Sequence, residues 1–267
     1  MVIITAAVVA VVVFIAIAAV AVLAPRSLDA VASSPTVSPT PVAPSRTPVA
    51  SPSPTPTPSP TATPTFDKSA FSLDDPTSIW VVVNKLRPLA PADYEPNRVP
   101  VPVPFANEPF MRQDASDAVV SMFAAFTAET GLQMQSQSAY RSYSSQENVY
   151  AGWVATYGQA GADLTSARPG HSEHQTGLAM DVSALPANCS LDACFADTPQ
   201  GQWLAANGWR FGFIVRYPAN KTPVTGFEYE PWHMRYVGVD LSTEMHATGI
   251  TTLEEFFGLP AAPGYAG

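Results

Sequence analysis

Residues 71–260 are predicted to form an α+β domain, with one small sheet and flanking helices. Strand-like runs and capped helices follow one another without strict βαβ alternation, and no glycine-rich phosphate loop follows any strand. Once low-complexity sequence is set aside, what remains has the size of a single domain with a proper core.

The strand-like runs are IWVVVN (79–84), LQMQSQSAY from 132, LAMDV (178–182), FGFIVRY (211–217) and WHMRYV (232–237). Leu132 and Met134 alternate with polar neighbours, the period-2 pattern of a half-buried strand. A helix over 110–130 places Val119, Met122, Phe123 and Phe126 at i, i+3, i+4 and i+7 before Gly131, so one apolar stripe faces the sheet. A second helix opens with a Ser144–Glu147 capping box, sets Tyr150, Trp153, Val154 and Tyr157 on one face and stops at Gly158. A third has Thr198 before Pro199 at its first position and Gly208 at its end. A last short helix follows a Thr251–Glu254 capping box.

Ahead of the domain, residues 1–24 are apolar apart from Thr5, long enough at about 1.5 Å per residue to cross a hydrocarbon core of about 30 Å. They read as a membrane anchor, or as a signal peptide ending in small residues before Pro25. The anchor is favoured because no basic region precedes the segment. Residues 25–70 form a stalk. Within it, 33–65 hold eleven prolines and fifteen serines or threonines, a composition that favours extended polyproline-like chain over a packed core. Such an arrangement holds an extracytoplasmic domain away from a membrane, or belongs to a secreted protein if the leader is cleaved. Residues 261–267 are read as a tail.

A net charge of −9 with no basic run argues against nucleic acid as a partner. The two cysteines, Cys189 and Cys194 in CSLDAC, read as a disulfide of an exported chain, since no histidine or third cysteine flanks them as a metal partner. The closed loop is short, so the bond contributes roughly 2 kcal/mol.

The densest chemistry lies in HSEHQTGLAMD, residues 171–181, within a chain of only four histidines. His174 and Asp181 would stand about 23 Å apart in a strand and about 10 Å apart in a helix. Neither geometry lets both touch one ion. Gly177 between them can adopt the positive φ of a reversal, and Asp181 then falls in an apolar strand where an unpaired carboxylate is costly. His233 in YEPWHMRYVG supplies a third ligand. Two imidazoles and one carboxylate leave Zn²⁺ an open fourth position, the mark of a catalytic rather than a structural site, and Glu230 is the candidate general base. Nickel or cobalt match the same donors. His171 is left outside the ligand set, His246 is read as a surface residue and Arg216 as a structural ion-pair partner.

Ser172-x-His174-x-x-Gly177-x-Ala179-x-Asp181 with Glu230-x-x-His233 resembles the zinc motif pair of the VanY-type D-alanyl-D-alanine carboxypeptidases, within the lysostaphin/DD-carboxypeptidase/hedgehog group. The resemblance runs through SAYRSYSSQ, PGHSEHQTGLAMDVS, FGFIVRYP and TGFEYEPWHMRYVG, covering about 78–259. It implies an antiparallel sheet carrying the zinc site, with His174, Asp181 and His233 as ligands, Glu230 as base and Arg141 over the substrate carbonyl. Ser172 and Gln146 are expected to touch the peptide's end groups. The implied reaction removes the C-terminal D-amino acid from peptidoglycan stem peptides. The alternatives are an L,D-carboxypeptidase, an endopeptidase on cross-links, or a non-catalytic wall-binding module that keeps zinc for structure. A serine-type penicillin-binding enzyme is disfavoured, because none of Lys68, Lys85 and Lys221 follows a serine by three places.

Overall fold

A computed structural model describes residues 66–266. The apolar segment 1–24 and nearly all of the Pro/Ser/Thr-rich stretch lie outside these residues. Among the described residues no helix is long and apolar enough to cross a membrane.

A two-stranded antiparallel ribbon, β1 (Val99–Pro100) with β2 (Phe110–Met111), leads into helix α1 (Gln113–Thr130). The apolar stripe of α1 behaves as its spacing predicts. Val119, Met122 and Phe126 are fully buried, and the chain leaves the helix at Gly131 with φ 72°. The start is three residues later than expected, because Phe110 and Met111 pair with β1. Strand β3 (Gln133–Ser138) follows, then helix α2 (Tyr143–Thr165). Its N-cap is Ser142, whose Oγ accepts from Ser145 N–H, two residues before the expected capping box. Gly158, at φ 70°, breaks the helix only locally, and the backbone resumes helical geometry through Thr165. The aromatic face of α2 does not enter the core: Trp153 and Tyr157 stack on each other, with Tyr157 62% exposed.

Strand β4 (Ala179–Leu185) precedes α3 (Pro199–Asn207), capped by Thr198 Oγ1 as predicted. Gly208 does not close the turn. It continues into a 3₁₀ segment, Gly208–Phe211, and the reversal falls at Gly212 (φ 85°) before β5 (Phe213–Tyr217). A single turn α4 (Thr222–Thr225), strand β6 (Glu230–Tyr236) and helices α5 (Val239–Thr248) and α6 (Leu253–Phe257) complete the chain. The cap of α6 lies one residue beyond the expected pair, at Thr252 and Glu255. Glu254 is unavailable to it because its carboxylate is drawn into the interior to Arg216.

The four long strands form one antiparallel sheet in the order β3-β4-β6-β5. Alternation sends Met180, Val182 and Met234 toward the α1 core, and therefore Asp181, His233 and Arg235 toward the opposite face. Truncating a fully buried side chain of that core, such as Phe126, would cost about 3–5 kcal/mol. A second cluster packs α5 and α6 against Trp80 and Val82.

The run 79–84 is buried from Trp80 onward but is not a strand: Ile79 and Trp80 lie in a turn, and Asn84 makes only an isolated bridge to Arg87. Val81 and Val83 join one cluster while Trp80 and Val82 join the other, so the alternation is real. Arginine side chains bind much of its backbone: Arg235 donates to Ile79 O and Val81 O, and Arg87 to Val82 O. Packing also extends beyond 71–260. Phe66 stacks on Trp80, Ala262 is fully buried, and the Tyr265 hydroxyl accepts from Arg168 N–H.

Candidate metal and peptidase site

The sheet brings the predicted ligands together. After the 3₁₀ turn Glu173–Thr176, Gly177 takes φ 69° and its N–H returns to His174 O. A side chain there would press on Pro96 and the Arg112 backbone at 3.2–3.3 Å, so glycine serves both conformation and space. The chain then enters β4, where Asp181 stands directly opposite His233 of β6. Register irregularities lie beside both, between Ser136 and Ser138 on β3 and between Val215 and Tyr217 on β5. They re-aim Ser138 toward Asp181 and set Tyr217 opposite Glu230.

His174 Nδ1 binds Ala139 O at 2.7 Å, which places the ring proton on Nδ1 and leaves Nε2 facing Asp181 Oδ2 at 3.3 Å. His233 uses the other nitrogen: its Nδ1 is 3.3 Å from Asp181 Oδ1. Each of His174, Asp181 and His233 offers one donor atom, and the three donors lie within 4.8 Å of one another. The two 3.3 Å contacts end on different oxygens of Asp181, Oδ2 for His174 and Oδ1 for His233, so both imidazoles face the one carboxylate. Asp181 Oδ1 is buried with no hydrogen-bond partner. Nitrogen and carboxylate donors gathered within 4.8 Å and an orphaned oxygen fit a divalent cation of the zinc type.

Electrostatics agree. Burial opposes ionisation of Asp181, but His174 and His233 outweigh it and hold its carboxyl well below the ordinary range. Burial also works against a charged His233, yet Asp181 and Glu173 raise its pKa to about 9. Burial lowers that of His174. Glu230 Oε2 lies 3.6 Å from His233 Nδ1, and desolvation pushes the Glu230 carboxyl up to about 8. A cation beside these groups pulls in the opposite direction.

These side chains line a cavity of about 580 Å³ together with Arg141, Ser172 and Trp232. Arg141 is held from two sides, donating to Gln146 Oε1 at 2.9 Å and, more weakly, to Ser138 Oγ at 3.4 Å. Ser138 Oγ in turn donates to Asp181 Oδ2 at 2.8 Å. Gln146, expected to touch substrate, is fully buried and does not border the cavity. Both ends of its amide are engaged within the protein, by Arg141 on one side and by Ser166 Oγ and Ala167 O on the other. Cys189 and Cys194 are disulfide-bonded, and the loop they close sets Leu191, Asp192 and Ala193 in the cavity wall. His171 stays outside the cluster, bonded to Asn84 O. His246 stacks on Trp209 at 4.2 Å.

Two residues without a predicted role border the site. Tyr217 packs its ring against His233 at 4.8 Å. Glu173 lies wholly buried beside His233, between Arg216 and Arg235. Burial opposes its ionisation, but the Arg235 and Arg216 guanidiniums hold its pKa far below the carboxylate range. The signal for Glu173 was the pair of arginines inside apolar strands, since a buried guanidinium requires a buried acid.

Known proteins share this fold. Residues 108–239 match the family model described as VanY, D-alanyl-D-alanine carboxypeptidase. YodJ of Bacillus subtilis (strain 168) is 40% identical over 192 residues, covering 70% of this chain and 69% of that protein. The structure of the LdcB LD-carboxypeptidase is 40% identical with a TM-score of 0.63, covering 68% of this chain and 87% of that one. A mutant of the vancomycin-resistance D,D-pentapeptidase VanY, in complex with Zn(II), is 33% identical with a TM-score of 0.55, covering 66% of this chain and 97% of that one. The family match, the identity along most of the domain and the shared fold show that the chain belongs to the VanY family of D-alanyl-D-alanine carboxypeptidases.

Proposed function

We propose that the protein is a zinc-dependent D,D-carboxypeptidase that removes the C-terminal D-amino acid from peptidoglycan stem peptides. The observation that carries this reading is the meeting of three metal-type donors, Glu230 and Arg141 in one cavity. His174, Asp181 and His233 hold the ion. When bound, zinc supplies a Lewis acid that acidifies water and polarises a carbonyl.

The chain's own groups supply the rest. Glu230 takes a proton from the water that adds to the last peptide carbonyl, and passes it to the departing amine as the C–N bond breaks. Water is thereby divided between a new carboxylate and a free D-amino acid. Arg141 donates to the carbonyl oxygen as negative charge grows there, and Gln146 holds the guanidinium in place. Ser172, at the cavity wall, contacts the peptide end. The apolar segment 1–24 and the proline-rich stretch support an extracytoplasmic enzyme, tethered to the membrane or released by cleavage.

A second reading has its own observation: the likeness to LdcB, an LD-carboxypeptidase, exceeds that to the D,D-pentapeptidase in both identity and TM-score. Incubation with pentapeptide and tetrapeptide muropeptides, followed by mass spectrometry, separates the two. Loss of one alanine from the pentapeptide alone supports the D,D assignment. Shortening of the tetrapeptide alone replaces it with L,D, and cleavage of cross-linked dimers indicates an endopeptidase.

A further inference from the structure

The Glu173 side chain is fully buried, yet it is neither a metal ligand nor the proposed base. Its Oε1 accepts from Arg216 Nε at 2.8 Å and from Arg235 Nη1 at 2.7 Å. Its Oε2 faces His233 Nε2 at 3.5 Å, a separation at which no hydrogen bond is yet formed, and both atoms are buried without any hydrogen-bond partner. We infer that Glu173 is a positioning residue that sets the tautomer and orientation of His233. By accepting from Nε2–H it leaves the Nδ1 lone pair facing Asp181 and the ion. The inference rests on the metal reading of the site.

A neutral imidazole carries one proton, and the nitrogen without it is the ligand. An ionised carboxylate only accepts, so at Nε2 it forces the proton to that nitrogen. The carboxylate is itself fixed. Arg216 is gripped by Glu254 at 2.7 and 2.9 Å, and Arg235 by Ile79 O and Val81 O. With Oε1 held by two guanidiniums, Oε2 has one direction left, toward His233. At the other histidine the carbonyl of Ala139 performs the equivalent task from the opposite nitrogen. The two ligands therefore carry opposite tautomers, His174 protonated on Nδ1 and His233 on Nε2. Outer partners of this kind commonly change metal affinity 10–100-fold.

Glu173→Gln tests the assignment. The arginines keep the amide oxygen, so the NH₂ group faces Nε2, which must then accept, and the ring proton moves to Nδ1. The folded variant should bind zinc about 10–100-fold more weakly in competition with a chromophoric chelator, with an altered cobalt(II) absorption spectrum. Wild-type affinity and spectrum in this variant would overturn the inference while leaving the metal site standing. A second measurement needs no variant: long-range ¹H–¹⁵N correlation on the zinc-loaded wild-type protein should place the His233 proton on Nε2. A proton on Nδ1 overturns the inference even if the variant fails to fold. A wild-type protein that takes up no zinc refutes the metal reading itself, and this inference with it.

Discussion

Gln146→Leu distinguishes a residue that positions Arg141 from one that touches substrate. The substitution nearly preserves volume and removes three hydrogen bonds, one to the Arg141 guanidinium and two to Ser166 Oγ and Ala167 O. A bond to a charged group contributes about 1.5–3 kcal/mol and a neutral one about 1 kcal/mol, partly offset by the added apolar burial. A net loss of roughly 2–4 kcal/mol follows, and a folded body of this size should melt about 5–10 °C lower. The catalytic effect has a separate signature. An oxyanion donor contributes about 10²–10³ in kcat, and one that has lost a lateral support should forfeit part of it, about tenfold, with KM little changed. Thermal unfolding together with steady-state kinetics on a muropeptide reads both quantities. A rise in KM at constant kcat would refute the positioning role and restore substrate contact. A stability loss with neither kinetic constant moved would show that Gln146 supports only the fold.

Other outcomes follow from the same geometry. Glu230→Ala should retain stoichiometric zinc by metal analysis while losing about 10²–10⁴ in turnover, whereas His174→Ala should lose metal and turnover together. With a pKa of about 9, His233 carries a proton at pH 7 that an incoming ion must displace, so zinc affinity should climb as pH rises toward 9. Calorimetric titrations of the metal-free protein in buffers of different ionisation enthalpy should register release of at least one proton. Glu254 is opposed by burial but held below its ordinary pKa by Arg216, so its contribution to stability is full above the unfolded-state pKa and is lost as pH falls through the folded one. Acid unfolding of Glu254→Gln should show a shallower pH dependence than wild type across that window.

The candidate metal ligands were legible because each stood out against its surroundings. A glycine able to reverse the chain separates His174 from Asp181, and an acid and a histidine interrupt apolar strands. The α1 stripe and the Thr198 cap were legible because helix periodicity and capping are local. What escaped depended on distant partners. The alternation in 79–84 is a true burial pattern, but nothing nearby in the sequence shows that Arg235 and Arg87 would bind its carbonyls where a neighbouring strand was expected. Glu254 resembled a capping residue until its partner Arg216, from another element, drew it inward. Helix α5 went unread because its buried face, Leu241, Ser242 and Met245, is short and interrupted by polar residues. Gln146 was expected, with Ser172, to touch the peptide's end groups. Only the fold shows that its amide points away from the cavity, into the protein.

The direct pairing of Asp181 with His233 across β4 and β6 ties cofactor loading to correct folding. A slip of one residue between these strands would send one of the two side chains to the far face, scattering the donor set. Misaligned chains would therefore forgo the free energy of ion capture, which accrues only to the native alignment. A bound cation would thus proofread strand pairing as well as serve as a reagent, favouring the one register in which the donor set is complete.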